Sequence, residues 1–177
     1  MCGIKVIAVH QIRYVKSFYH PLTLKMPLQE LTGRILEMIP HQQPFRFIDA
    51  ITFVDDNRIE GNYFLSETAD FYKGHFPGFH VTPGVILTEI MAQTGMVAFG
   101  IYLMMQEGET TFNNMVTLLT ETNIKFKKQV LPGQKVFVQS EKIVFRHGRL
   151  RCNISLTNSA NELLCQGNMS GMLFIKP

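Results

Sequence analysis

An imidazole, a helix start and a carboxyl fall within one short stretch of this chain: His75, then Pro83-Gly84, then Glu89, with Gln93 four residues further on. The segment Gly74-His75-Phe76-Pro77-Gly78-Phe79-His80-Val81-Thr82-Pro83-Gly84 carries glycines and prolines that fix an irregular loop around His75. Pro83 and Gly84 suit the opening of a helix, where amides lack intrahelical partners and carry roughly half a positive charge. Such amides polarise a carbonyl oxygen as an oxyanion hole does. Glu89 lies just over one turn inside that helix among Leu87, Ile90 and Met91, a setting expected to be short of water and so to favour the protonated acid. These are parts for chemistry beside an acyl carbonyl. The histidine would take a proton from the α-carbon, the amide would hold the enolate, and the carboxyl would protonate a leaving β-hydroxyl. Each acid–base contribution of this kind is typically worth about 10²–10⁴-fold. Two plainer readings stay open on the residues alone: a loop histidine that is a structural hydrogen bonder, and a helix glutamate that bonds across an interface.

The elements that must position these groups read as an α+β domain. Residues 27–39 form an amphipathic helix with Leu28, Leu31, Ile35 and Ile39 on one face, Pro27 at its start and Pro40 as its stop. Strand patterns follow over 45–53 and 58–65, joined at Asp55-Asp56-Asn57. Residues 84–105 are apolar nearly all round, and at about 1.5 Å per residue such a helix is long enough for a bilayer. Glu89 and Gln93 argue against a membrane span, because a carboxylate in hydrocarbon costs a few kcal/mol. No cluster of Lys or Arg marks a boundary. A helix this greasy in a soluble protein must be wrapped. The wrapping comes from strands predicted over 115–130, 135–145, 149–157 and 162–175, punctuated by Pro132-Gly133, His147-Gly148 and Asn158-Ser159. The expected result is one curved antiparallel sheet around one long central helix.

With 177 residues, 46% hydrophobic and 18% charged, the chain suits a single globular domain, and a net charge of +3 is no polycation for nucleic acid. Cys2, Cys152 and Cys165 cannot all pair and share no metal-ligand spacing, which points to a reducing compartment. Phe and Met are plentiful and Trp is absent, a core able to line an apolar tunnel as well as fill ordinary gaps. Residues 1–25 stand apart: basic, free of acid and rich in β-branched residues. They read as an N-terminal extension, an arm or a stretch upstream of a true start at Met26, with the domain proper spanning 26–177. They do not match a secretory signal.

Three motifs, Gly74-His75-Phe76-Pro77-Gly78, Val81-Thr82-Pro83-Gly84-Val85 and Glu89-Ile90-Met91-Ala92-Gln93, resemble the signature of the hot-dog-fold 3-hydroxyacyl-[acyl-carrier-protein] dehydratases of type II fatty acid synthesis. Pro40-His41, Pro44-Phe45 and Asp49 resemble the opening of that family, and Lys125-Phe126, Val130 and Pro132-Gly133 its later strand turn. The resemblance covers residues 28–175. It implies that His75 is the catalytic base, oriented by the Val81 carbonyl, that the Gly84 amide contacts the thioester oxygen, and that Glu89 is the catalytic carboxylate. It also implies that the histidine and carboxylate of one site come from different subunits, in a homodimer or a dimer-based hexamer, with no cofactor or metal. Glu rather than Asp at 89 leans toward a simple dehydratase over a dehydratase-isomerase. His80 and Thr82 depart from the family pattern and put the tunnel mouth and acyl preference in question. His41 reads as structural, and a metal pair of His75 and His80 lacks a third ligand nearby.

Residues 121–177 hold nine Lys and Arg against three Glu, whereas residues 1–120 hold eight against eleven acids. Lys125, Lys127, Lys128, Arg146, Arg149 and Arg151 are therefore candidates for docking an acidic acyl carrier protein, chiefly by steering the encounter. Three functions compete. The first is a cytoplasmic dehydratase acting on a 3-hydroxyacyl carrier thioester, in primary or specialised lipid synthesis. The others are a hot-dog acyl thioesterase and a non-catalytic acyl-binding subunit.

Overall fold

The computed structural model describes residues 26–109, 112 and 114–175. The expectations for residues 1–25 lie outside the described residues. Helix α1 spans Leu28–Met38, its Leu31 amide bonded to the Pro27 carbonyl, and it buries Leu31, Thr32 and Ile35. The Arg46 guanidinium caps its C-terminal end by donating to the Leu36 carbonyl at 2.9 Å, a cation where the helix dipole favours one.

The sheet is antiparallel and six-stranded: β1 Ala50–Val54, β2 Arg58–Phe64, β3 Met115–Phe126, β4 Lys135–Arg146, β5 Arg149–Asn158 and β6 Leu163–Ile175, in spatial order β1-β2-β4-β5-β6-β3. The β1–β2 turn is fixed by Asp55, whose Oδ1 accepts from the amides of Asn57 and Arg58, both at 2.8 Å. Strand β5 shows the alternation expected of a half-buried strand: Leu150, Cys152, Ile154 and Leu156 face the core. Burial pushes the Cys152 and Cys165 thiols up to about 11 and about 12, so both behave as small hydrophobes.

Helix α2, Gly84–Gln106, lies in the cradle of the sheet. It is long and apolar enough to cross a membrane, yet every residue from 90 to 103 is buried by protein. Its middle, Gln93–Ala98, is a π-helical segment. The Phe99 amide there bonds the carbonyls of Thr94 and Met96 and passes over that of Gly95. The Gly95 carbonyl instead receives the Ser140 hydroxyl at 3.2 Å and the Cys152 thiol at 3.6 Å. A side chain at 95 would run into Ile154 Cδ1 and meet Ser140 Cβ at 2.9 Å, so the sheet touches the helix backbone itself. At the far end Tyr102 donates to Asp56 Oδ1 at 3.0 Å and ties α2 to the β1–β2 turn; burial, then Asp56, pushes the phenol up to about 12.

Two strands are shorter than their patterns predict, for identifiable reasons. Strand β1 begins at Ala50 rather than Phe45 because the Phe45 carbonyl and the Phe47 amide are taken by the Gln93 carboxamide, not by a ladder. Strand β3 stops at Phe126 because the amides of Lys127 and Lys128 both turn to the Leu164 carbonyl.

Candidate active site

The loop before α2 is a small closed unit. Phe76 and Phe79 exchange two backbone hydrogen bonds at 3.0 Å around Pro77-Gly78. Gly78 has φ +80°, the left-handed position this Pro-Gly turn requires. One step outward, the Val81 amide donates to the His75 carbonyl at 3.3 Å, and His75 Nδ1 lies 2.9 Å from the Val81 carbonyl. A carbonyl only accepts, so the proton of the neutral ring sits on Nδ1 and the lone pair on Nε2. No hydrogen bond among the described residues occupies Nε2. His75 is half-buried and its ring stacks on Phe76, centroids 4.1 Å apart.

Thr82 joins this loop to the sheet. Its amide donates to the Val130 carbonyl at 2.7 Å, and its hydroxyl lies 2.6 Å from that of buried Tyr72, whose phenol burial pushes up. The residue that departs from the family pattern is thus a structural link to Tyr72, while His80 is exposed with its ring 6.2 Å from that of Tyr72. Among the described residues no cluster of three or more His, Cys, Asp or Glu could hold a metal.

Helix α2 opens at Gly84, and among the described residues the amides of Gly84 and Val85 have no hydrogen-bond acceptor. Gly84 lines an open groove of about 430 Å³ together with Thr82, Phe126, Lys127 and Lys128. The Phe126 ring packs closely on the helix start, so that a Cβ at 84 would lie 3.1 Å from its Cζ.

Glu89 faces elsewhere. Five residues beyond Gly84 it is about 140° around the helix, and its carboxyl lines a separate cavity of about 70 Å³ with His41, Met96 and the 117–119 and 171–173 segments. Glu89 Oε1 accepts from Gln93 Nε2 at 2.8 Å and lies 3.8 Å from His41 Nε2. Gln93 is fully buried: its Oε1 accepts from the Phe47 amide at 2.7 Å, and its Nε2 also donates to the Phe45 carbonyl at 2.9 Å. Sequence reasoning placed Gln93 on the face of Glu89 but missed its grip on the 45–47 segment and the approach of His41, forty-eight residues away in the chain. Proximity across that separation has no local signature.

Within one chain, then, His75 is tied to Val81 in the loop that leads into Gly84, and among the described residues Glu89 has no hydrogen bond or ion pair with His75. The basic candidates also divide. Lys127 and Lys128 flank the Gly84 groove, Lys128 being ion-paired with Glu162 at 2.8 Å, while Lys125 lies on the outer face of the sheet. Arg149 pairs with Met172 on β6 and Lys125 with Gln166, six ladder positions or about 20 Å apart. Arg146 sits beside Arg149 at the β4–β5 turn, with Arg151 two residues inward. The six do not form one patch.

A curved antiparallel sheet wrapped around a single buried helix is the hot-dog fold. The FabA-like domain model matches residues 39–163, and the chain belongs to that family. The 3-hydroxyacyl-[acyl-carrier-protein] dehydratase FabZ of Bacillus velezensis is 32% identical over 140 residues, covering 78% of this chain and 94% of that protein. Among solved structures, the dehydratase heterocomplex ApeI:P from Xenorhabdus doucetiae shares the fold with a TM-score of 0.66 at 14% identity, over 80% of this chain and 91% of the matched one. Zebra fish thioesterase superfamily member 2 shares it with a TM-score of 0.58 at 12% identity, over 83% and 98%.

Proposed function

We propose that this protein is a 3-hydroxyacyl-[acyl-carrier-protein] dehydratase, converting a (3R)-3-hydroxyacyl carrier thioester to the trans-2-enoyl thioester and water. The observation that carries the reading is the His75 imidazole, tethered through Nδ1–H to the Val81 carbonyl at 2.9 Å with Nε2 unbonded among the described residues, in the loop that leads into a helix start whose amides lack acceptors. With the thioester oxygen on the Gly84 amide, His75 Nε2 takes the α-proton and the enolate charge falls on that oxygen, where the helix start stabilises it. The C–O bond at the β-carbon then breaks, and the departing hydroxyl takes a proton from Glu89 to leave as water.

The cavity that Glu89 lines includes no residue of the His75 loop, so in this reading the site is completed by a second copy. Support comes from the free edge of β3, twelve residues long, which carries exposed Leu118 and Leu119 next to the Glu89 cavity, and from Val85, 76% exposed beside Gly84. An open apolar edge of this length invites pairing. A homodimer joined along β3 covers these side chains and sets the His75 loop of one copy over the Glu89 cavity of the other. Lys127 and Lys128 then stand at the groove by which a carrier's prosthetic arm reaches Gly84. The similarity to FabZ dehydratases supports the acyl carrier as substrate donor, and the cytoplasmic setting is part of the same proposal.

The test is an assay with a 3-hydroxyacyl carrier thioester, following the absorbance of the conjugated enoyl product. Enoyl formation that is lost in both His75→Ala and Glu89→Ala supports the assignment. Release of free thiol without enoyl product would instead establish hydrolysis, the activity named in thioesterases of the same fold.

A further inference from the structure

Two donors converge on one oxygen of the Glu89 carboxyl. Gln93 Nε2 reaches Oε1 at 2.8 Å, and its orientation is unambiguous, because the other end of the same carboxamide must accept from the Phe47 amide. His41 Nε2 approaches the same Oε1 at 3.8 Å. The opposite nitrogen of that ring, Nδ1, is sealed from solvent and has no hydrogen-bond partner. A proton on Nδ1 would be a buried donor with nothing to receive it, whereas a bare lone pair there costs less. The neutral ring therefore carries its proton on Nε2, facing Glu89. Oε2, by contrast, has no hydrogen bond among the described residues.

We infer that His41 is a positioning residue which, with Gln93, holds Oε1 of Glu89 between two N–H donors and so confines the exchangeable proton of this carboxyl to Oε2. An oxygen that faces two donors cannot also carry a hydrogen without a clash, so the acid presents its proton in one direction, from Oε2 into the cavity. The separation of 3.8 Å is longer than a hydrogen bond and within ion-pair range, as is common for catalytic contacts before substrate binds. The surroundings keep the ring neutral. Burial lowers the His41 pKa, Glu89 opposes this and Arg46 reinforces it. The 117–119 and 171–173 segments that close the cavity hold no titratable side chain. The Phe45 ring, 6.3 Å away, covers another side.

This inference rests on Glu89 being the acid of the proposed dehydration. Its test compares His41→Met, which keeps bulk but no donor, with His41→Gln, whose amide nitrogen reaches the place of Nε2. We expect kcat of His41→Met to fall roughly 10- to 100-fold, the worth of a donor to a carboxyl, with KM changed less than about threefold. His41→Gln is expected to recover to within about fivefold of wild type. A purely structural role would not produce this split or this rescue. A second measurement does not depend on either variant folding: nitrogen NMR of the His41 ring in the wild-type protein should show the Nε2–H tautomer at neutral pH. His41→Met with wild-type kcat while Glu89→Ala is inactive overturns the inference alone, as does a glutamine no better than methionine or an Nδ1–H tautomer. Full activity in Glu89→Ala overturns the reading beneath it.

Discussion

Replacing Gln93 by methionine, unbranched and of similar length, removes three hydrogen bonds while leaving the volume filled. Two of them satisfy backbone groups: the Phe47 amide loses its acceptor at 2.7 Å and the Phe45 carbonyl loses its donor at 2.9 Å. The buried Phe47 amide left unpaired costs about 1–3 kcal/mol and the part-buried Phe45 carbonyl somewhat less, and relief from desolvating the carboxamide offsets part of this, for a net loss of about 2–4 kcal/mol. At about 2–4 °C per kcal/mol for a chain of this size, the melting temperature should fall by roughly 5–15 °C. The assay is thermal unfolding of wild type and variant at one protein concentration, since an oligomer melts in a concentration-dependent way. A fall in kcat should accompany it, because Glu89 Oε1 loses the donor at 2.8 Å. A variant melting within about 2 °C of wild type would show that Gln93 does not hold the 45–47 segment, and the reasoning would be wrong.

Other expectations follow from the same contacts. Gly95→Ala forces a methyl against Ile154 and Ser140 and should cost about 1–3 kcal/mol in denaturant unfolding, with the slope unchanged. His41 has a pKa lowered by burial, so between its folded value and the ordinary imidazole value of 6.5 the unfolded chain binds more protons. Its contribution to stability is therefore complete above about 6.5 and is lost as pH falls through that window, and His41→Gln should flatten this part of the stability–pH curve relative to wild type. Charge reversal at Lys127, beside the Gly84 groove, should raise KM for the carrier-linked substrate without changing kcat, and the effect should shrink at high salt.

Most of the fold was legible because its periodicities are clean. The apolar run 84–105 and the alternation of 149–157 stand out against any neighbour, and the structure has a helix over Gly84–Gln106 and a strand over Arg149–Asn158. The π-helical turn at Gln93–Ala98 was not legible: it widens the backbone without changing the apolar pattern, and Gly95 alone hints at it. Likewise, the predicted strand from Phe45 fails because a side chain forty-eight residues later in the chain captures its backbone, a tertiary override of local propensity. The spacing from His75 to Gly84 to Glu89 set out the candidate groups, and the tether of His75 to Val81 appears as the resemblance implied. Charge counting grouped six basic residues that the register then places at opposite ends of the sheet, because composition along a chain carries no record of strand reversal.

In the proposed dimer one site takes its base from one copy of the chain and its acid from another, an arrangement that complementation reads directly. It is tested by co-producing His75→Ala and Glu89→Ala chains with different affinity tags and isolating the mixed dimer. Each parent dimer should be inactive. The mixed dimer holds one site with both defects and one with neither, so it should regain about half of wild-type activity. A mixed dimer as inactive as its parents would mean that the two residues serve the same chain or no common site, contradicting the account.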